Sequence, residues 1–453
     1  MRIHVRNSQR TAPRSALVLA ILALAFTRSA AAANFNETVV CTATPQTGQF
    51  PSISAALAAA TGDPTYTFQS EILINVTGTC TEAVNMVGIQ NVNVVGPQTG
   101  TPAVLSPPVT GTSGGGNQYG VALSILNSSN ITVSNINFVG PGTGTNGTPL
   151  AQVTSSNSIT FAACNFSASI GAGLSVSSSQ VSVLGPTTIQ NNSYTGISTT
   201  GTANVSIPSS IPQFAVAIQN NGASGIQVGP GGYLYLFDYV TISGNGAVVS
   251  ANNSGIALAG GTALLCCGPG PNVTNNTGWG ISAQQLSSLT IVGTSSGAPN
   301  VSISGNTEAG IYSVNSLVGI FNDVLIQGNG DSSDITPLGG IDVLGNGSLQ
   351  AYGAVIQNNN GPGILVSENS SAVLGLGSVP TTIGGNTGSG IEVQINGSVT
   401  FDGTGTTATG NTPKDLTCIA GGIAAEDTGE APSIGTKSCP NLYDVPPHKH
   451  KKG

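Results

Sequence analysis

The sequence predicts an all-β solenoid, with short strands wound into about 10–13 stacked coils and one short helix closing the N-terminal end. Three observations carry this. First, one phrase recurs eight times between Ile189 and Ile391: a branched apolar residue, two spacers, Asn, and then a Gly-Ile pair. Six copies share the spacing Ile/Val-x-x-Asn-x-x-x-Gly-Ile, beginning at Ile189, Ile218, Val273, Ile303, Ile356 and Ile383; those at Ile242 and Ile326 insert six or seven residues before the glycine. Second, the Gly-Ile pairs return every 23 to 30 residues, the period of units that bury an apolar face only by stacking on their neighbours. Third, residues after each pair alternate in character, as in Ile226-Gln227-Val228 and Ile391-Glu392-Val393, which suits a half-buried strand.

Each coil must bend several times within one layer, and Asn and Gly accept positive φ at least cost. Asn at equivalent positions can also hydrogen-bond from coil to coil. Ile197, Ile226, Ile256, Ile281, Ile311, Ile341, Ile364 and Ile391 are then expected to form one interior row. Charged residues make up only 6% of the chain and Gly numbers 63, a mix that resembles disorder. Disordered chains lack apolar anchors at fixed offsets, so residues 70–410 read as folded.

The N-terminus reads as a signal peptide over residues 1–33. Arg2, Arg6, Arg10 and Arg14 precede an apolar run from Ala16 to Phe26 and the small-residue zone Ser29–Ala33. A run of about eleven residues is too short to span a bilayer. Residues 34–70 read as an N-terminal cap containing the one helix: Ser52 caps it, Ile53, Ala56, Leu57 and Ala60 share a face, and Gly62-Asp63-Pro64 stops it. Strands are expected from there on, at Ile72–Val76, Val92–Val95, Val121–Ile125 and Ile131–Phe138, with loops at 97–120 and 140–149. The strand array is placed at 71–412. A C-terminal cap follows at 413–453, ending in the basic tail Pro446–Gly453, which reads as disordered.

Phe50-Pro-Ser-Ile-Ser-Ala-Ala-Leu, the following Ile72-Leu-Ile-Asn-Val-Thr-Gly-Thr-Cys-Thr-Glu, Val92-Asn-Val-Val-Gly and the Asn/Gly-Ile coils together resemble the right-handed parallel β-helix superfamily, the pectin-lyase-like fold. The resemblance spans roughly residues 35–412. It implies the fold but no particular chemistry, because that fold hosts lyases, hydrolases, esterases, epimerases, adhesins and inert scaffolds.

Charge narrows the choice. All five Arg lie within residues 1–28, and residues 29–413 hold no Lys, Arg or His; five Lys against 18 acidic residues leave the mature chain at −13. That surface has no footprint for nucleic acid and repels acidic polysaccharides. The pectate lyases, pectin methylesterases and polygalacturonases of the resembling fold all use basic side chains, so their sites cannot be carried over. A hydrolase built on two carboxylates survives. The outward row reads Ser198, Gln227, Ala257, Ser282, Tyr312, Asp342, Leu365, Glu392, which makes Asp342 and Glu392 the alternative catalytic pair, against a reading as a solvated acidic face. Asp331, Asp334 and Asp342 have no recognised calcium-ligand spacing, and no metal or cofactor is expected.

Clustered aromatic side chains point elsewhere. Tyr233 and Tyr235, outward beside the inward Leu234 and Leu236, together with Trp279, form the expected glycan-binding patch. Of the seven Cys, Cys41–Cys80 and Cys418–Cys439 are expected to staple the two ends, as suits an exported chain. Cys164 is expected free, and Cys266 and Cys267 read as core-filling. The leading expectation is a secreted or periplasmic, non-catalytic β-helix for glycan binding, adhesion or structure, its partner a neutral glycan or cell-surface component, with no nucleic acid and no membrane span. The alternative is a carboxylate-only glycoside hydrolase on a neutral polysaccharide.

Overall fold

The computed structural model describes residues 35–445 apart from 42–43, 114–115, 144–146, 210, 248–252, 295–299, 332–337, 376–379, 404 and 428–431. The expected signal peptide and the Pro446–Gly453 tail lie outside these. The chain forms a right-handed parallel β-helix of about 12 turns. Each full coil contributes one strand to each of three faces. The first face is a 14-stranded parallel sheet from Val84–Val87 to Lys437–Ser438. The second and third faces count as one 29-stranded sheet, because the long strands Leu317–Gln327 and Ser348–Gln357 run through the corner between them.

Side-chain alternation fills the interior. The eight isoleucines from Ile197 to Ile391 pair in unbroken register along the first face, and all are buried. Near the N-terminal end the axis holds a phenylalanine cluster, with Phe138 and Phe166 stacked at 4.6 Å and Phe161 edge-on to both. The helix Ile53–Gly62 lies at that end with Ile53, Ala56, Leu57 and Ala60 buried. Ser52 Oγ accepts the Ala55 N–H. The Glu82 carboxylate accepts the N–H groups of Ile53 and Ser54, so an acid sits where the helix dipole favours one.

Parallel pairing extends beyond the expected limits of 71–412. Phe35–Val40 pairs with Ile72–Thr77, and Leu442–Val445 pairs with Ile423–Asp427. These end strands carry no Asn/Gly-Ile phrase, so the repeat could not reveal them. The segment 97–120, expected as loop, supplies the strand Ala103–Ser106 and an antiparallel hairpin of Val109–Ser113 with Gly116–Tyr119. Ile131–Phe138 is two strands broken at Asn135, whose φ is +55°.

The corner between the third and first faces is built on asparagine. Asn192, Asn221, Asn245, Asn276, Asn306, Asn329, Asn359, Asn386 and Asn411 form a ladder, each Nδ2 donating to the next Oδ1 at 2.8–3.0 Å. The backbone N–H of each ladder Asn donates to that same oxygen, as Asn221 does to Asn245 at 3.1 Å. The second Nδ2 hydrogen reaches the carbonyl of the apolar residue that opens the preceding copy, Ile189 for Asn221 at 3.2 Å. Asp415 ends the row. Its Oδ1 accepts from Asn411 and its Oδ2 accepts the Thr436 N–H and hydroxyl. Burial raises its carboxyl, but these donors outweigh that and the net shift is downward. All four contacts are donors, so a carboxylate fits where an amide would set N–H against N–H.

The expectation that the motif Asn and Gly supply positive φ is corrected. Positive φ falls on the residue before the ladder Asn, such as Asn191 at +55° and Asn220 at +54°. The motif glycine is needed for space: a Cβ on Gly225 would lie 2.7 Å from the Gly255 carbonyl and 2.8 Å from Asn245 Nδ2. Gly225→Ala should therefore destabilise the fold by about 1–3 kcal/mol through overpacking. Gly62→Ala, in the helix with nothing within 4 Å of the added methyl, should be neutral or stabilising by up to about 1 kcal/mol. Asn276→Ala orphans two buried donors of Asn245 and should cost about 3 kcal/mol or more. Denaturant midpoints of the three variants check the ranking.

Candidate functional site

Outward positions on the second face gather aromatic rings. In Tyr233–Leu236, Leu234 and Leu236 are buried, leaving Tyr233 and Tyr235 half-buried on the outside. Tyr235 meets Phe237 edge-on at 4.1 Å. Its hydroxyl lies 3.6 Å from Cys266 Sγ, with the hydroxyl as donor because a disulfide sulfur carries no proton. Strand register places Phe321 and Tyr352 farther along the same face, with ring centroids 5.6 Å apart. Gly319 makes this geometry accessible, since a Cβ there would sit 2.8 Å from the Phe321 ring. Between the two ring groups the outward residues are uncharged: Thr262, Leu264, Ser288, Thr290, Leu317 and Gln350. Burial raises the Tyr235 phenol, with Tyr233 and Asp238 adding to it; burial and then Asp402 raise that of Tyr352. Both hydroxyls stay protonated at neutral pH.

Trp279 is not part of this patch. It stands on the first face beside Ser254 in register, stacked on Tyr312 at 4.4 Å and 8°. Its Nε1 is buried with no partner among the described residues. Its place one coil after the tyrosines suggested one cluster; it opens the first-face strand Trp279–Gln284 instead.

Asp342 and Glu392 stand in the outward row, two strands apart through Leu365, roughly 9–10 Å at sheet spacing. Their environments differ from a solvated acidic face. Asp342 is fully buried and neither carboxylate oxygen has a hydrogen-bond partner among the described residues. Burial pushes its carboxyl up to about 7; the Gly339 backbone amide opposes this and the Glu392 charge adds to it. Burial also raises Glu392, while Tyr312 is raised by burial and then by Asp342, Glu368 and Glu308. A general acid has to touch the glycosidic oxygen, and Asp342 has no exposed atom with which to do so. Of Asp331, Asp334 and Asp342, which lack calcium-ligand spacing in the sequence, Asp334 lies outside the described residues. Among those described, the acidic and sulfur ligands that cluster are Cys41, Cys80 and Glu82, with both sulfurs in a disulfide and the carboxylate on the helix N-terminus.

Both end staples form, with Cα separations of 5.0 Å for Cys41–Cys80 and 4.4 Å for Cys418–Cys439. Cys164 is free and buried, its thiol pushed up to about 12 by burial. Cys266 and Cys267 are bonded to each other rather than filling the core as separate thiols. Adjacency in sequence gave no hint of this, because on a regular strand the two side chains face opposite ways.

No protein-family model matches the sequence, and no curated protein matches it. Among solved structures, the chain is similar to the A-module of the mannuronan C-5 epimerase AlgE4 of Azotobacter vinelandii, at TM-score 0.44 and 11% identity over 87% of this chain and 95% of that one. It is similar to the catalytic domain of a GH87 alpha-1,3-glucanase in complex with nigerose, at TM-score 0.33 and 13% identity over 91% and 68%. Pectate lyase Pel9A gives TM-score 0.29 and 10% identity over 90% and 78%. At these identities the likeness is one of fold.

Asp342 sets a pH signature. Its folded-state pKa lies above the ordinary carboxylate value, so its contribution to stability is complete below about pH 4 and is lost as pH rises through about 7. Above that, a charge is buried with only the Gly339 backbone amide to oppose the cost. Asp342→Asn should match the parent near pH 4 and melt several degrees higher at pH 8; parallel melting curves across this range would contradict the assignment.

Proposed function

We propose that this protein is an exported, non-catalytic β-helix that binds a neutral glycan along its second face. The observation that carries this reading is the strip formed by Tyr233, Tyr235, Phe321 and Tyr352, with uncharged side chains between the two ring groups. Aromatic faces stack on the C–H faces of sugars without needing charge, and neighbouring Thr, Ser and Gln offer hydroxyl and amide groups for the sugar's edges. The absence of Lys, Arg and His from residues 29–413 disfavours uronate polymers. Export is supported by the leader-like N-terminus and by the two end disulfides. Burial of Asp342 weighs against the two-carboxylate hydrolase, because one half of its pair is sealed from any substrate.

Affinity electrophoresis and calorimetry of the mature chain against neutral glucans, mannans and galactans, with polyuronates as controls, test the proposal. Binding is expected to the neutral class alone. Tyr235→Ala and Tyr352→Ala should each weaken it about tenfold, or about 1.4 kcal/mol. Trp279→Ala and Asp342→Asn should leave it unchanged. Product release that disappears in Glu392→Gln would instead establish the hydrolase.

A further inference from the structure

The corner between the second and third faces takes positive φ in several coils, at Asn135, Ala163, Tyr239, Cys267, Asn322 and Asp323, and the bulkiest of these, Tyr239, stands one coil from the disulfide-bonded Cys267. Tyr239 sits at φ +52°, held between the Val216 N–H, which donates to its carbonyl, and the Pro269 carbonyl, which accepts its N–H. A bulky residue in this region costs about 1–3 kcal/mol and persists only where the surroundings impose it. One coil on, the Cys266–Cys267 disulfide is followed by Gly268, with Cys267 at φ +73° and Gly268 at φ +101°. The Asp238 carboxylate lies directly on that glycine, where a Cβ would be 2.6 Å from its Oδ2, and its Oδ1 is buried with no partner among the described residues.

Beside this corner, on the third face, lies an open groove of about 360 Å³. Thr241 and Asn272, neighbours in register on adjacent strands, are outward residues of its floor. Tyr239 and Pro269 form one wall, Pro212 of the 3-10 turn Pro212–Phe214 another, and Asn300 lies at the far end. Rings and polar amides therefore line one concavity of the size that accepts a small ligand. Asp238 is the one acidic residue between 83 and 307, and that span contains no basic residue. The complementary ligand is neutral, with an apolar face and hydroxylated edges.

We propose that this groove is a second saccharide site, holding one or two neutral sugar units, with Tyr239 and Pro269 against the ring and Thr241 and Asn272 hydrogen-bonded to hydroxyls. The Cys266–Cys267 bond fixes the wall. This rests on the neutral-glycan reading and adds a location to it: Tyr233, Tyr235, Phe237, Asp238 and Tyr239 lead round the corner from the ring strip into the groove.

The test uses the mature chain with the glycan found to bind it and with neutral disaccharides cut from that glycan, read by saturation-transfer NMR and calorimetry. Tyr239→Gly keeps a residue that tolerates φ +52°, and Asn272→Ala removes only the floor amide; unchanged melting temperatures verify both folds. Each should abolish disaccharide binding and weaken the polymer three- to tenfold, and Cys266→Ser/Cys267→Ser should weaken the disaccharide as well. Parental disaccharide affinity in Tyr239→Gly and Asn272→Ala, with loss in Tyr235→Ala, would overturn the groove and leave the ring strip standing. No binding of any neutral glycan by the parent would overturn both.

Discussion

The asparagine ladder is the interaction on which the rest of the solenoid depends. From Asn221 to Asn411 every buried amide in it is saturated: Oδ1 accepts twice and Nδ2 donates twice, once to the next coil and once to the previous. Leaving one such group unpaired costs more than the net gain of making the bond, so the spacing of the coils is fixed at this corner. Tight stacking then leaves no room for a Cβ at the Gly of each Gly-Ile pair, and the isoleucine that follows enters the core at a constant place. The two insertions after Asn245 and Asn329 are tolerated because ladder and core resume on either side of them.

Much of this was legible in the sequence because it repeats. The isoleucine row, the ladder and the capping helix each needed only a fixed offset or a local pattern. The φ assignments failed because two demands, close approach and positive φ, both select Gly and Asn, and the sequence does not say which operates at a given position. Phe321 and Tyr352 were missed for another reason. They meet Tyr235's face only when register is carried through coils of unequal length. Asp342 occupies the expected outward row, yet alternation does not reveal that this part of the face is covered.

The faces follow from the same economy. With the fold held by backbone pairing, amide ladders and apolar rows, the described residues carry a single charge pair on the outside, Lys437 with Glu426 near the C-terminal end. What remains is a long, nearly uncharged surface of hydroxyls, amides and a few rings. Such a surface gives little electrostatic steering, so recognition has to come from shape, stacking and hydrogen bonding, as neutral carbohydrate demands. Where charge is present it is costly, as at Asp342, ends the ladder, as at Asp415, or caps the helix, as at Glu82.

Native-state hydrogen exchange read by mass spectrometry bears most directly on the ladder as the organising constraint. The backbone N–H groups of the ladder residues from Asn192 to Asn411 should be among the slowest in the chain and exchange together, through one opening event. Rapid exchange at these asparagines while the isoleucine strands stay protected would contradict the account, leaving the coils held by the core alone.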